Sequence, residues 1–97
     1  MNRIVLTARL AQREALRYTP AGVAVIEAEF SHEGDVIEAG TQRHVRVDVD
    51  TVAVGALAQR VEALALGASA KLTGFIAPRS RRSRKLRIHI TDFELGE

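Results

Sequence analysis

Cysteine and tryptophan are absent from this 97-residue chain, and its aromatic residues are one tyrosine and three phenylalanines. Without cysteine there is no disulfide, no thiolate nucleophile and no sulfur-ligated zinc. A packed core or an oligomer must supply the stability, and a reducing cytoplasm fits. No apolar run approaches the ~20 residues that cross a bilayer, and the opening MNRIVLTARL alternates where a signal peptide would be continuously apolar, so no membrane partner is expected. A glycine-rich phosphate loop, an HExxH helix and a nucleophile paired with a base are also missing. His32, His44 and His89 fall in separate segments without ligand-like spacing, so no metal and no cofactor is expected. Asp48 and Asp50 could in principle hold magnesium as a nuclease site does, but beside Arg46 they read more simply as a salt-bridged surface. A chain of this length forms one domain, 1–97, without room for a deep enzymatic cleft. The expectation is a protein that is not an enzyme.

Carboxylates are missing from one long stretch, between Glu62 and Asp92. Within that stretch lie Arg79, Arg81, Arg82, Arg84, Lys85 and Arg87, six of the fourteen basic residues, in a chain whose net charge is only +2. An unpaired block of this kind creates a local field that a polyanion can use. A charge run by itself is equally at home in a solvated loop. Its position separates the two readings, because SAKLTGFIAP precedes it and RKLRIHI follows it, which puts the run at an exposed hairpin tip. Arginine and lysine there would contact phosphates without reading bases.

Alternation of period two dominates the rest. Arg3 to Leu10 puts Ile4, Leu6, Ala8 and Leu10 on one face; Val23 to Ser31 does the same with Ala24, Ile26, Ala28 and Phe30. Between them, LRYTPAG carries Pro20 and Gly22, residues of a turn. His32 to Gly40 is polar and acidic and reads as a peripheral loop. Thr41 to Val49 forms a third strand with Val45, Val47 and Val49 inward and His44, Arg46 and Asp48 outward. The period then changes: from Gly55 to Leu66, Leu57, Val61, Leu64 and Ala65 recur at helical intervals, with Gly67 as a stop. A fourth strand runs from Ala70 to Ala77 and a fifth from Arg84 to about Glu94. In the fifth, Leu86, Ile88 and Ile90 share a face, whereas Phe93 and Leu95 take the opposite parity, which predicts a bulge near Thr91.

An all-β chain of five strands with one short helix between the third and fourth is the order of the OB-fold barrel. In that fold the binding face centres on the second and third strands, bordered by the loops joining strands one to two and four to five. Here those loops are LRYTPAG and PRSRRS, which bring Arg17 and Tyr18 beside the basic run.

Several segments carry a family resemblance: NRIVLTARL, RYTPAGVAV, and LGASAKLTGFIA followed by RKLRIHITDFEL. They resemble the bacterial single-stranded-DNA-binding superfamily over essentially the whole chain. The lack of a Gly/Pro/Gln-rich acidic tail, the short AGTQRHVRV approach to the third strand and the Arg-rich loop are more similar to its primosomal branch than to its ordinary members. This resemblance implies a homodimeric, non-enzymatic accessory protein of replication restart that holds single-stranded DNA, contacts the PriA helicase and helps assemble other primosome proteins. It also implies that the first strand, Asn2 to Leu10, pairs with its symmetry mate. The weakly polar outward face of Val5 and Thr7 agrees with a covered strand edge. Where members of this family can carry aromatics on the third strand, this chain has Thr41, His44 and Arg46.

The expected interface is therefore an electrostatic track. Arg17, Arg43, Arg46, Lys71, Arg79, Arg81, Arg82, Arg84, Lys85 and Arg87 would neutralise phosphates, with Tyr18, His44 and Arg46 offering stacking surfaces. Phe30 and Phe75 are expected in the core, and His89 at a groove edge. Two other readings stand beside this one: a protein-interaction module of the primosome with vestigial DNA binding, and a tail-less ordinary single-stranded-DNA-binding protein.

Overall fold

The computed structural model describes residues 1–96. Its elements are β1 (Ile4–Arg13), β2 (Arg17–Tyr18), β3 (Ala24–Glu38), β4 (Thr41–Val54), α1 (Ala56–Glu62), β5 (Ser69–Pro78) and β6 (Leu86–Leu95). The strands form one sheet in the order β1-β5-β6-β4-β3-β2, and an additional β1–β3 pairing closes it into a barrel. With β4 and β6 running parallel and the other pairs antiparallel, this is the OB-fold. The helix follows the fourth strand in this numbering only because β2, two residues paired with Val25 and Ala24, is counted as a strand.

The alternation read in the sequence builds the interior. Ala8, Leu10, Ala24, Ile26, Ala28, Phe30, Leu72, Ile88, Ile90 and Phe93 form one buried cluster, which α1 closes from below with Ala58 and Val61. Thr51 is the polar residue wholly inside, and its hydroxyl donates to the Ala28 carbonyl at 2.8 Å. The predicted bulge is present: Thr73 pairs with Asp92 and Gly74 with Ile90, leaving Thr91 as the extra residue that returns Phe93 to the core. Gly74 lies inside this irregularity, where a Cβ would sit 2.1 Å from the His89 carbonyl oxygen. Only glycine permits that approach.

The structure corrects five expectations of the sequence. Residues 32–38 are strand, not loop: β3 and β4 continue as a two-stranded arm in unbroken register from Val25–Val54 to Glu38–Thr41. Ala39 and Gly40, at φ 51° and 79°, make its turn, the geometry that matches strand twist in a two-residue hairpin. In that arm Val47 is exposed, because it lies beyond the end of the barrel and has nothing to cover it. The regular helix stops at Glu62, and Leu64 reaches the core from the irregular turn that follows. Leu86 and Phe75 are exposed, at 64% and 37%. Leu86 has the inward parity but sits past the barrel rim, and Phe75 points to the outer face, directly opposite His89.

Candidate nucleic-acid interface

Pro78 and Leu86 are the last paired residues of β5 and β6, and the hairpin between them closes with the Arg79 amide donating to the Lys85 carbonyl at 2.8 Å. The tip is tied internally by Ser83, whose amide donates to the Ser80 carbonyl and whose hydroxyl accepts from the Lys85 amide. The serines interleaved with the basic residues thus shape the turn. Arg81, Arg82, Arg84 and Lys85 are exposed, and none forms an ion pair among the described residues.

The two basic residues at the base of this hairpin behave differently. Arg87 Nη2 donates to Glu27 Oε1 at 2.6 Å and its Nε to Asp50 Oδ2 at 3.1 Å, with its side chain only 10% exposed. Expected on the phosphate track, it stands instead nearly buried and paired with carboxylates that lie 60 and 37 residues away in sequence. Burial works against its charge, yet the bonds to Asp50 and Glu27 outweigh that and raise its pKa. Arg79 stands 3.7 Å from Asp50, a looser pair with both side chains partly exposed. Arg17 belongs to the same neighbourhood, because its charge, like that of Arg79, acts on Glu14. Glu14 is pushed up by Glu27 beside it, while Glu27 is held down by a hydrogen bond from Glu14 and by Arg87. Glu14, Glu27, Asp50, Arg79 and Arg87 line a cleft under the hairpin.

The outer face of the β3–β4 arm is acidic. Register sets Glu29 of β3 opposite Asp50 of β4, Ser31 opposite Asp48, Glu33 opposite Arg46 and Asp35 opposite His44, with Glu27 on the same face opposite Val52. His44 is clasped there, Nδ1 at 2.8 Å from Asp35 and Nε2 at 2.7 Å from Glu33. Asp35 first and Glu33 second raise its pKa above the ordinary imidazole value. Arg43 is engaged by Glu38 at 2.7 Å. Asp48 accepts from the Ser31 hydroxyl and Asp50 serves Arg87 and Arg79, so the expected pairing of both aspartates with Arg46 is replaced by these partners. Lys71 lies apart, opposite Thr7 and Glu94 on the outer face of β5. Tyr18 is 60% exposed, on the two-residue strand beside Ala24.

Of the twelve residues picked from sequence, the hairpin tip holds four that are exposed and unpaired. Arg17 and Arg79 flank its base, Arg87 is internal, Arg43 and His44 are engaged by carboxylates of the neighbouring strand β3, and Lys71 is remote. One feature escaped the sequence altogether. Phe75 and His89 stack on the outer face of β5 and β6, ring centroids 4.7 Å apart and planes at 10°. Their opposite placement depends on the β5–β6 register, and that register is shifted by the Thr91 bulge. The parity of His89 with Arg87, together with that of Phe75 with Lys71, was the available signal.

Comparison with known proteins agrees with this architecture. The model of a family described as another single-strand binding protein family matches residues 2–92. Replication restart protein PriB of Bordetella pertussis is 38% identical over 90 residues, covering 93% of this chain and 84% of that protein. The PriB of Nitrosomonas europaea is 31% identical over 91 residues, with coverage of 94% and 84%. A solved structure of PriB from Ralstonia solanacearum superimposes with a TM-score of 0.91 at 34% identity, covering 100% of this chain and 99% of that one. The single-stranded DNA binding protein from Thermus aquaticus shares the fold, with a TM-score of 0.79 at 19% identity, all of this chain matching 50% of that one. The chain belongs to the single-strand binding family, and within it to the family of replication restart protein PriB.

Proposed function

We propose that this chain binds single-stranded DNA as a non-enzymatic accessory protein of the replication-restart primosome, mainly through phosphate contacts at the tip of the β5–β6 hairpin. The observation that carries this reading is the set Arg81, Arg82, Arg84 and Lys85, exposed on one tied turn with no carboxylate partner among the described residues. Arg17 and Arg79 extend the positive surface at its base. The carboxylates of the β3–β4 arm repel a phosphate chain, so the strand is directed along the hairpin and away from the outer face of the arm. Contact with the PriA helicase and residence in the cytoplasm belong to the same reading.

A homodimer belongs to it as well. β1 pairs with β5 from Ile4 to Arg9 but with β3 only from Arg9 onward, so one edge of its first half carries no strand. A second copy pairing there would cover that edge and the half-exposed Val5. Fluorescence anisotropy of a labelled oligonucleotide tests the DNA contact: the Arg81→Ala/Arg82→Ala/Arg84→Ala variant should lose most of the affinity.

The acidic outer face of the arm favours a second reading, in which the barrel is a protein-interaction module and the basic hairpin docks on an acidic patch of a primosome partner. Under it, the same triple variant leaves oligonucleotide binding unchanged and abolishes pull-down of the helicase.

A further inference from the structure

We propose that the stacked rings of Phe75 and His89 form a platform on which an unpaired base of single-stranded DNA stacks, at the foot of the cationic hairpin. This inference rests on the reading of the chain as a DNA-binding protein and adds to it a site for the bases, where the hairpin accounts only for the phosphates.

Phe75 is an apolar ring left 37% exposed on the outside of a barrel whose other two phenylalanines, Phe30 and Phe93, are buried to 0% and 5%. It does not serve the core, since Gly74 and Ile76 on either side of it have the inward parity. His89 faces it directly across the strands, and the two planes are within 10° of parallel, so each ring keeps one π-face uncovered by the other. Aromatic faces of this kind bind bases of any sequence.

The surroundings favour a nucleotide over an apolar partner. The outward residues of β5 are Lys71, Thr73, Phe75 and Ala77, without a carboxylate, in contrast to the arm. On the side of Phe75 away from His89, Ile4 pairs with Gly74 and the Asn2 amide is bonded to the backbone of Ile76, which sets the exposed Arg3 across from the Phe75 ring. At the other end, Arg79 lies four residues along β5 from Phe75, about 14 Å at ~3.4 Å per residue. A short oligonucleotide can therefore touch the platform and the cationic tip together, with Arg3 beyond.

The chain has no tryptophan, so Phe75→Trp introduces a single emitter at the platform. Titration with oligothymidylate should quench that emission at saturation. Phe75→Leu should weaken binding between about fivefold and a hundredfold, the range of one lost base stack, while leaving the salt dependence of binding unaltered. The triple hairpin variant should do the reverse, flattening the salt dependence while its Phe75→Trp version is still quenched at low salt. A loss of less than about threefold in Phe75→Leu, measured against a wild type that binds, overturns the platform and leaves the hairpin reading intact. A wild type that does not bind oligothymidylate removes both. Because Phe75 is a surface ring, thermal melts of both variants should match the wild type; should Phe75→Leu melt early, the quenching of Phe75→Trp decides, and absent quenching overturns the proposal.

Discussion

Arg87 Nη2 lies 2.6 Å from Glu27 Oε1, joining the last strand of the barrel to its long central strand through a nearly buried ion pair. That contact divides the basic run in two. The residue closest to the barrel is committed to folding, and the four at the tip are left for a ligand.

Loss of one partner from such a pair strands the other charge, which is the costly outcome for buried ions. Arg87→Ala should therefore destabilise the fold by about 2 to 3 kcal/mol, below the full figure because Glu27 remains 22% exposed. Arg81→Ala/Arg82→Ala/Arg84→Ala should alter stability by about 0.5 kcal/mol or less, as surface changes do. Urea denaturation of the two variants checks the contrast.

The bulge makes its own prediction. A methyl group at residue 74 would collide with the His89 carbonyl, a backbone atom that cannot rotate away. Gly74→Ala should cost about 2 to 3 kcal/mol and lower the midpoint of thermal unfolding accordingly. It should also disturb the Phe75–His89 stack that the same register creates.

His44 gives a pH dependence with a defined sign. Its pKa is raised in the folded state by Asp35 and Glu33, so its contribution to stability is complete below the unfolded value of about 6.5 and is lost as pH rises through the higher folded value. The melting temperature of the wild type should exceed that of His44→Gln at pH 5.5 and converge with it by about pH 8.5. Titration of the His44 ring by NMR should give a midpoint above 6.5.

The legible parts of the fold were those where one face is buried. Alternation placed the barrel portions of β1, β3, β5 and β6, and the parity change from Ile90 to Phe93 located the Thr91 bulge. The β3–β4 arm beyond Phe30 was not legible, because both its faces are solvated and Glu33, Gly34 and Asp35 carry no apolar period. Parity is also blind to where a barrel ends, which is why Leu86 and Val47 were assigned inward. In the candidate site, the density of charge at residues 79–87 was plain, but the partners that remove Arg87 from it are brought near only by the closed sheet. The stacking pair is hidden for the same reason, since its two members are 14 residues apart and meet only through strand register.

The most direct measurement is the affinity for a labelled oligonucleotide as a function of salt. Four phosphates held by Arg81, Arg82, Arg84 and Lys85 predict a slope of log affinity against log salt near −2.8, from about −0.7 per contact on a single strand, and a triple arginine-to-alanine variant should bring it to about −0.7. A slope near zero, or a preference for duplex over single strand, contradicts the account.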